Sequence, residues 1–135
     1  MKHDEFIGQV QARAQLPSRG AAETATRATL ETLGERVPEN VADHLASQLP
    51  SEIGEHLRRT EVMGGLGTGE RFDLDEFVHR VADRGRVDEP VAVYQARVVL
   101  EVTDEATEGI MGKVRQQLPD DLRQLVDAGS RGNME

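Results

Sequence analysis

The chain carries one run of residues twice, and a chain that repeats itself must bury two comparable faces, most simply against each other. Residues 4–10 read Asp-Glu-Phe-Ile-Gly-Gln-Val, and residues 75–81 read Asp-Glu-Phe-Val-His-Arg-Val. Further along, Arg27, Leu30, Glu31 and Glu35 return as Arg97, Leu100, Glu101 and Glu105. Gln48-Leu49-Pro50 returns as Gln117-Leu118-Pro119. The separation falls from 71 to 70 to 69 residues, so the loops between matched segments shorten by one residue each in the second copy. The expected fold is all-α: two tandem pseudo-symmetric repeats of four helices, packed as one helical bundle domain about a pseudo-twofold axis.

Apolar spacing places the helices. Phe6, Ile7, Val10 and Ala14 fall on one helical stripe, and Ser18 can cap a second helix whose inner face is Ala22, Thr26, Leu30, Leu33 and Val37. Pro38 suits the first turn of a third helix with Val41, Ala42, Leu45 and Leu49, and Pro50 restarts the chain as a fourth with Ile53 and Leu57. The glycine-rich stretch at residues 63–71 joins the copies. Asp73 and Glu76 form a capping box for a fifth helix with Phe77, Val78, Val81 and Ala82 inward. Pro90 begins a sixth, Thr103 or Asp104 a seventh with Ile110, Met111 and Val114, and Pro119 an eighth with Leu122, Leu125 and Val126. Val91 to Val102 is rich in β-branched residues and could form a strand on propensity alone. Its repeat partner, Ala21 to Leu33, is plainly helical, so both are expected to be helices, the second the most buried in the fold. These boundaries give one domain at 1–128, with repeats at 4–58 and 73–127 and a flexible tail at 129–135.

Composition narrows the function classes. With no cysteine, disulfides, thiolate metal sites and cysteine nucleophiles are excluded. No segment has the features of a signal peptide or the length of a membrane span, so a cytoplasmic protein away from membranes is expected. There are 25 acidic against 16 basic residues, a net charge of -9. Only Lys2 and Lys113 are lysines; the other basic residues are arginine. Acid-rich, lysine-poor surfaces over small core residues suit a salt-loaded cytoplasm, where carboxylate repulsion is screened, and the source is read as halophilic. The acidity argues against nucleic acid as a partner, because the basic clusters His56-Leu57-Arg58-Arg59 and His79-Arg80 with Arg84 and Arg86 lack interleaved aromatics and suit pairing with nearby carboxylates.

No motif assembles a catalytic set. His3, His44, His56 and His79 fall on different helices. His79 and Asp83 stand four residues apart and could share one metal, but a metal site wants three or four ligands, so no metal or other cofactor is expected. The acidic pairs sit at helix starts, where negative charge complements the dipole. Gly64 to Gly69 lacks both the preceding strand and the Gly-Lys-Ser/Thr ending of a phosphate loop, and it reads as a hinge. The repeat signature itself (Phe6, Val10, Leu49, Pro50, Phe77, Val81, Leu118 and Pro119) is expected to be structural, the leucines closing the core and the prolines turning the chain.

With Phe6-x-x-x-Val10, Leu30-x-x-Leu33 and Gln48-Leu49-Pro50 in the first copy, the chain resembles the domain-of-unknown-function family 2267. Phe77-x-x-x-Val81, Arg97-Val98-Val99-Leu100 and Gln117-Leu118-Pro119 match the same pattern in the second. The likeness runs from Asp4 to Val126. It departs after Pro50, where many relatives carry an aromatic Leu-Tyr-Tyr type stretch and this chain has Glu55-His56-Leu57-Arg58-Arg59. The resemblance implies an all-helical fold and brings no activity, cofactor or catalytic residue.

Two functions from different classes fit these features. The first is a non-enzymatic protein-interaction or adaptor module, stress-linked, which an exposed apolar patch of a few hundred Å² would support. The second is a small-molecule or metal binder, with or without catalysis, whose site lies between the repeats. The adaptor ranks first. A monomer is favoured over a homodimer, since an internal twofold can replace an intermolecular one.

Overall fold

The computed structural model describes residues 1–59 and 70–130, and every regular element among them is helical. Eight α-helices follow in order: α1 (His3–Arg13), α2 (Arg19–Arg36), α3 (Glu39–Ser47), α4 (Ser51–Arg58), α5 (Leu74–Gly85), α6 (Glu89–Ala106), α7 (Ile110–Gln116) and α8 (Asp120–Ala128). The two longest, α2 and α6, are both 18 residues and pack on each other at the centre. α1 lies against both α2 and α6, α5 against both α6 and α2, while α4 covers α2, α8 covers α6 and α3 meets α7. Residues 63–69 of the expected linker and 131–135 of the expected tail lie outside the described residues.

Local chemistry explains the helix ends. The Ser18 hydroxyl accepts the Ala21 N–H at 3.1 Å, and the Asp73 carboxylate accepts the Glu76 N–H at 3.0 Å. The reciprocal half of that expected capping box is replaced: the Glu76 carboxylate takes Arg80 Nε at 2.8 Å. Pro38, Pro50 and Pro119 stand directly ahead of α3, α4 and α8, where a fixed φ and a missing N–H cost nothing. α1 and α5 both close through a left-handed residue, Gln15 and Arg86, each at φ 55. The next amide then reaches back into the helix, Leu16 N–H to the Gln11 carbonyl at 3.0 Å and Val87 N–H to the Ala82 carbonyl at 3.1 Å.

Packing confirms the inward faces. Phe6, Phe77, Ile7, Leu30, Leu33, Leu45, Ile53, Leu57, Leu100 and Met111 are among the largest fully buried side chains. Of the repeat signature, Val10, Val81, Leu49 and Leu118 are also buried. The β-branched segment is helical within α6, because Val98, Val99 and Val102 are all buried there and packing outweighs propensity.

Two expectations fail. No helix starts at Thr103 or Asp104: the Thr103 hydroxyl donates to the Val99 carbonyl at 2.7 Å and stays inside α6. The chain breaks at Gly109, whose φ of 76 favours glycine, and α7 begins at Ile110. Nor is α6 the most buried helix. Small alanines and threonines let neighbours close around α2, which buries eleven residues against nine in α6.

Candidate functional site

Among the described residues most arginines pair with carboxylates, and the least exposed pairs join separate helices. Arg84 of α5 reaches across to α2, donating to Glu35 at 2.7 Å and lying 3.7 Å from Glu31. Arg13 of α1 reaches across to α6, donating to Glu101 at 2.8 Å and Glu105 at 2.7 Å. The repeated glutamates of the long helices thus receive the arginine that ends the other half's first helix. Burial opposes ionisation of Glu35 and Glu101. For Glu35 it is overcome by Arg84 and Arg80, for Glu101 by Ser130 and Arg13, so both carboxyls stay below their ordinary range. Glu105 is lowered chiefly by Arg13.

Around Glu31 and Glu35 the pairing extends into a network. Arg59 donates to Glu31 at 2.6 Å and Arg27 to the same carboxylate at 3.4 Å. Arg80 pairs with Glu35, Glu70 and Glu76 while lying 4.0 Å over the Phe72 ring. Four arginines (27, 59, 80, 84) therefore face four glutamates (31, 35, 70, 76). Of the basic clusters read from the sequence, Arg59, Arg80 and Arg84 are spent on this network, and Arg58 lies 3.4 Å from Asp43.

Beside the network, α1, α2 and α4 enclose a cleft of about 590 Å³ lined by His3, Ile7, Gly20, Glu23, Thr24, Arg27, Glu52 and His56. That volume lies within the usual range for small-molecule sites. Three helix starts meet at its rim, since His3, Gly20 and Glu52 belong to the first turns of α1, α2 and α4. Burial, followed by the charge of Arg59, holds the His56 imidazole below its ordinary value, so the ring is neutral at pH 7. Its Nδ1 is buried with no hydrogen-bond partner among the described residues. A buried N–H without an acceptor is costly, so the proton belongs on Nε2 and the ring acts there as a donor. Glu52 is held below its ordinary value mainly by its own backbone N–H. Asp4, next to His3 in the chain, is lowered by His3 and Arg19.

Two shallower clefts flank His79. One, of about 440 Å³, is lined by His79, Ala82, Asp83, Arg86, Val87, Asp88 and Glu89. The other, of about 330 Å³, lies between α2 and α5, with Glu35, Glu76, His79, Arg80, Asp83 and Arg84 around it. His79 and Asp83 thus share both clefts, and His79 Nδ1 lies 3.5 Å from Glu89. Among the described residues no three histidines or carboxylates are arranged to hold a metal ion. His44 is exposed and lines none of these clefts. Gly64 to Gly69 lies outside the described residues.

The sequence held a signal for the α1/α2/α4 cleft that inspection of motifs passes over. At the offsets of 71, 70 and 69 residues, His3, Glu23, Thr24 and His56 correspond to Leu74, Val93, Tyr94 and Leu125. Leu125 is in the core, and Leu74, Val93 and Tyr94 are partly buried against it. At these four positions polar residues are thus matched by aliphatic or aromatic ones, whereas Arg27 and Glu52 are matched by Arg97 and Asp121.

Among the described residues no helix is long and apolar enough to cross a membrane. No curated protein matches the chain. A family model, that of the uncharacterized conserved proteins named DUF2267, matches residues 3–125, and the chain belongs to that family.

Proposed function

We propose that the chain is a non-enzymatic binding protein that takes a small polar ligand into the cleft between α1, α2 and α4. One observation carries this reading: the unequal filling of equivalent places in what we take to be a duplicated unit. The second half meets the needs of packing there with Leu74, Val93, Tyr94 and Leu125. The fold therefore does not require His3, Glu23, Thr24 and His56 at the matching positions. Keeping two imidazoles, a carboxylate and a hydroxyl around a cleft of about 590 Å³ forgoes apolar burial, and a ligand supplies the compensating interaction. The first half would be the working half and the second its structural support.

Docking of a protein through an apolar face has less to support it. The exposed large hydrophobics among the described residues are Met1 and Val91, far short of a contiguous patch. In the cleft between α2 and α5, Arg80 and Arg84 are already engaged by Glu35 and Glu76. We read the molecule as a monomer whose acidic exterior suits high salt.

The test installs the second half's residues in the first. Thr24→Tyr with His56→Leu fills the cleft while following a solution that the fold already uses. Wild-type and filled proteins are screened by amide NMR against a mixed panel of amines, carboxylates, phosphates and sugars. Binding to the wild type at Thr24, Glu52 and His56, lost in the filled variant, is expected. A folded wild type that shifts for nothing in the panel, or a filled variant that binds equally, overturns the proposal.

A further inference from the structure

The charges around the cleft are unbalanced in one direction. Arg27, its one permanent cation among the described residues, belongs to the network of Glu31 and its neighbours. Outside that network the cleft is lined by two carboxylates, Glu23 and Glu52, while Arg19 pairs with Asp4 and lies 3.4 Å from Glu23. Glu52 is contacted by the Ser51 hydroxyl at 3.3 Å and by its own backbone amide, and no arginine pairs with it among the described residues. Ile7, almost fully buried, lines the same space, so the cleft joins acceptors at the rim to an aliphatic surface.

Resting on the binding role proposed above, we infer that the ligand is a small aliphatic amine, its ammonium N–H groups directed to Glu23 and Glu52 and its carbon chain lying along Ile7. The alternatives fit less well. A bare divalent cation needs three or more protein ligands, and no such group is assembled among the described residues. A quaternary ammonium needs aromatic faces, and among the described residues no aromatic ring lines the cleft. An anion would have to approach Glu23 and Glu52, and Arg27, the guanidinium lining the cleft among the described residues, is already paired with Glu31. Primary and secondary ammonium groups bring the donors that two carboxylates and the Thr24 hydroxyl can accept.

The full chain is titrated near neutral pH in about 0.15 M salt, where exposed charges are screened beyond roughly 8 Å. Three probes are used: putrescine, spermidine and succinate. The two amines should shift the amides of Glu23, Thr24, Glu52 and His56, and succinate should not. Glu23→Gln with Glu52→Gln should weaken amine binding by about tenfold or more, the scale of one well-placed charge contact. Asp104→Asn with Glu108→Gln removes the same charge from the exposed end of α6 and should leave the affinity unchanged. If that control pair weakens binding as much, the amines are following the general acidity of the protein and the inference fails. Succinate seated in the cleft would retain the binding site and refute the amine. Should no probe bind, the amine is refuted, and the Thr24→Tyr/His56→Leu comparison with the wider panel decides separately whether the cleft binds at all.

Discussion

At the scale of a single residue, one missing methyl group sets how closely α4 lies on α3. A Cβ on Gly54 would stand 2.7 Å from the Ala46 carbonyl oxygen, and that oxygen is backbone and cannot swing aside. Alanine in place of glycine inside a helix ordinarily gains about 1 kcal/mol. Here the sign reverses: Gly54→Ala should cost about 2–3 kcal/mol as overpacking forces the two helices apart. Gly8→Ala, which meets nothing within 4 Å on α1, should show the ordinary gain. Urea unfolding of both variants checks the pair, and a stabilised Gly54→Ala would show that α4 lies farther from α3 than described. Sequence reading found Phe6, Val10, Phe77 and Val81 because burial imposes a helical period on them. It missed Gly54 because the need for glycine belongs to the neighbour, and the register partner, Arg123, is exposed.

At the scale of elements, the crossed arginines tie the first helix of each half to the long helix of the other. Arg84 and Glu35 are both largely buried, at 25% and 17% side-chain exposure, whereas Glu105, facing Arg13, is 46% exposed. Solvent screens the second pair more strongly. A double-mutant cycle on Arg84 and Glu35 should give a coupling of about 1–2 kcal/mol, and one on Arg13 and Glu105 less than about 1 kcal/mol. Equal couplings, measured from denaturation midpoints, would refute the distinction drawn from burial. The recurrence of Glu31, Glu35, Glu101 and Glu105 was legible in the sequence. Their partners were not, although Arg13 and Arg84 are also 71 residues apart. No helical spacing links a residue of α1 to one of α6; only the way the halves pack brings them together.

At the scale of the whole molecule, stability should fall with acidification in two stages. His56 is held below its ordinary value of 6.5 in the fold, so the unfolded chain takes up its proton first. Its contribution is complete above about pH 6.5 and is lost as pH falls through the lower folded value. Glu35, Glu101 and Glu105 are held below their ordinary 4.5, so theirs is complete above that value and is lost only in more acid solution. Denaturation midpoints between pH 8 and 4 should therefore bend once below about 6.5 and again below about 4.5. His56→Leu, which places at 56 the residue found at 125, should remove the first bend and leave the second. Identical curves for the two proteins between pH 7 and 5 would show that His56 titrates as it does in the unfolded chain.

The apolar period, the turn residues and the doubled signature by themselves determined that the chain is helical and largely where its helices lie, because these are local demands that each segment meets alone. They also determined that Val91 to Val102 is helical, once it was set against its repeat partner, and the buried faces of the helices around it. Tertiary structure decided the rest. It carried α6 through Thr103 to Ala106, made α2 the more buried of the long helices, and paired arginines with carboxylates of other helices. It also opened a cleft where α1, α2 and α4 converge. Which charges meet and which side chains border an open space depend on how separate helices cross, and a spacing along one helix does not encode that.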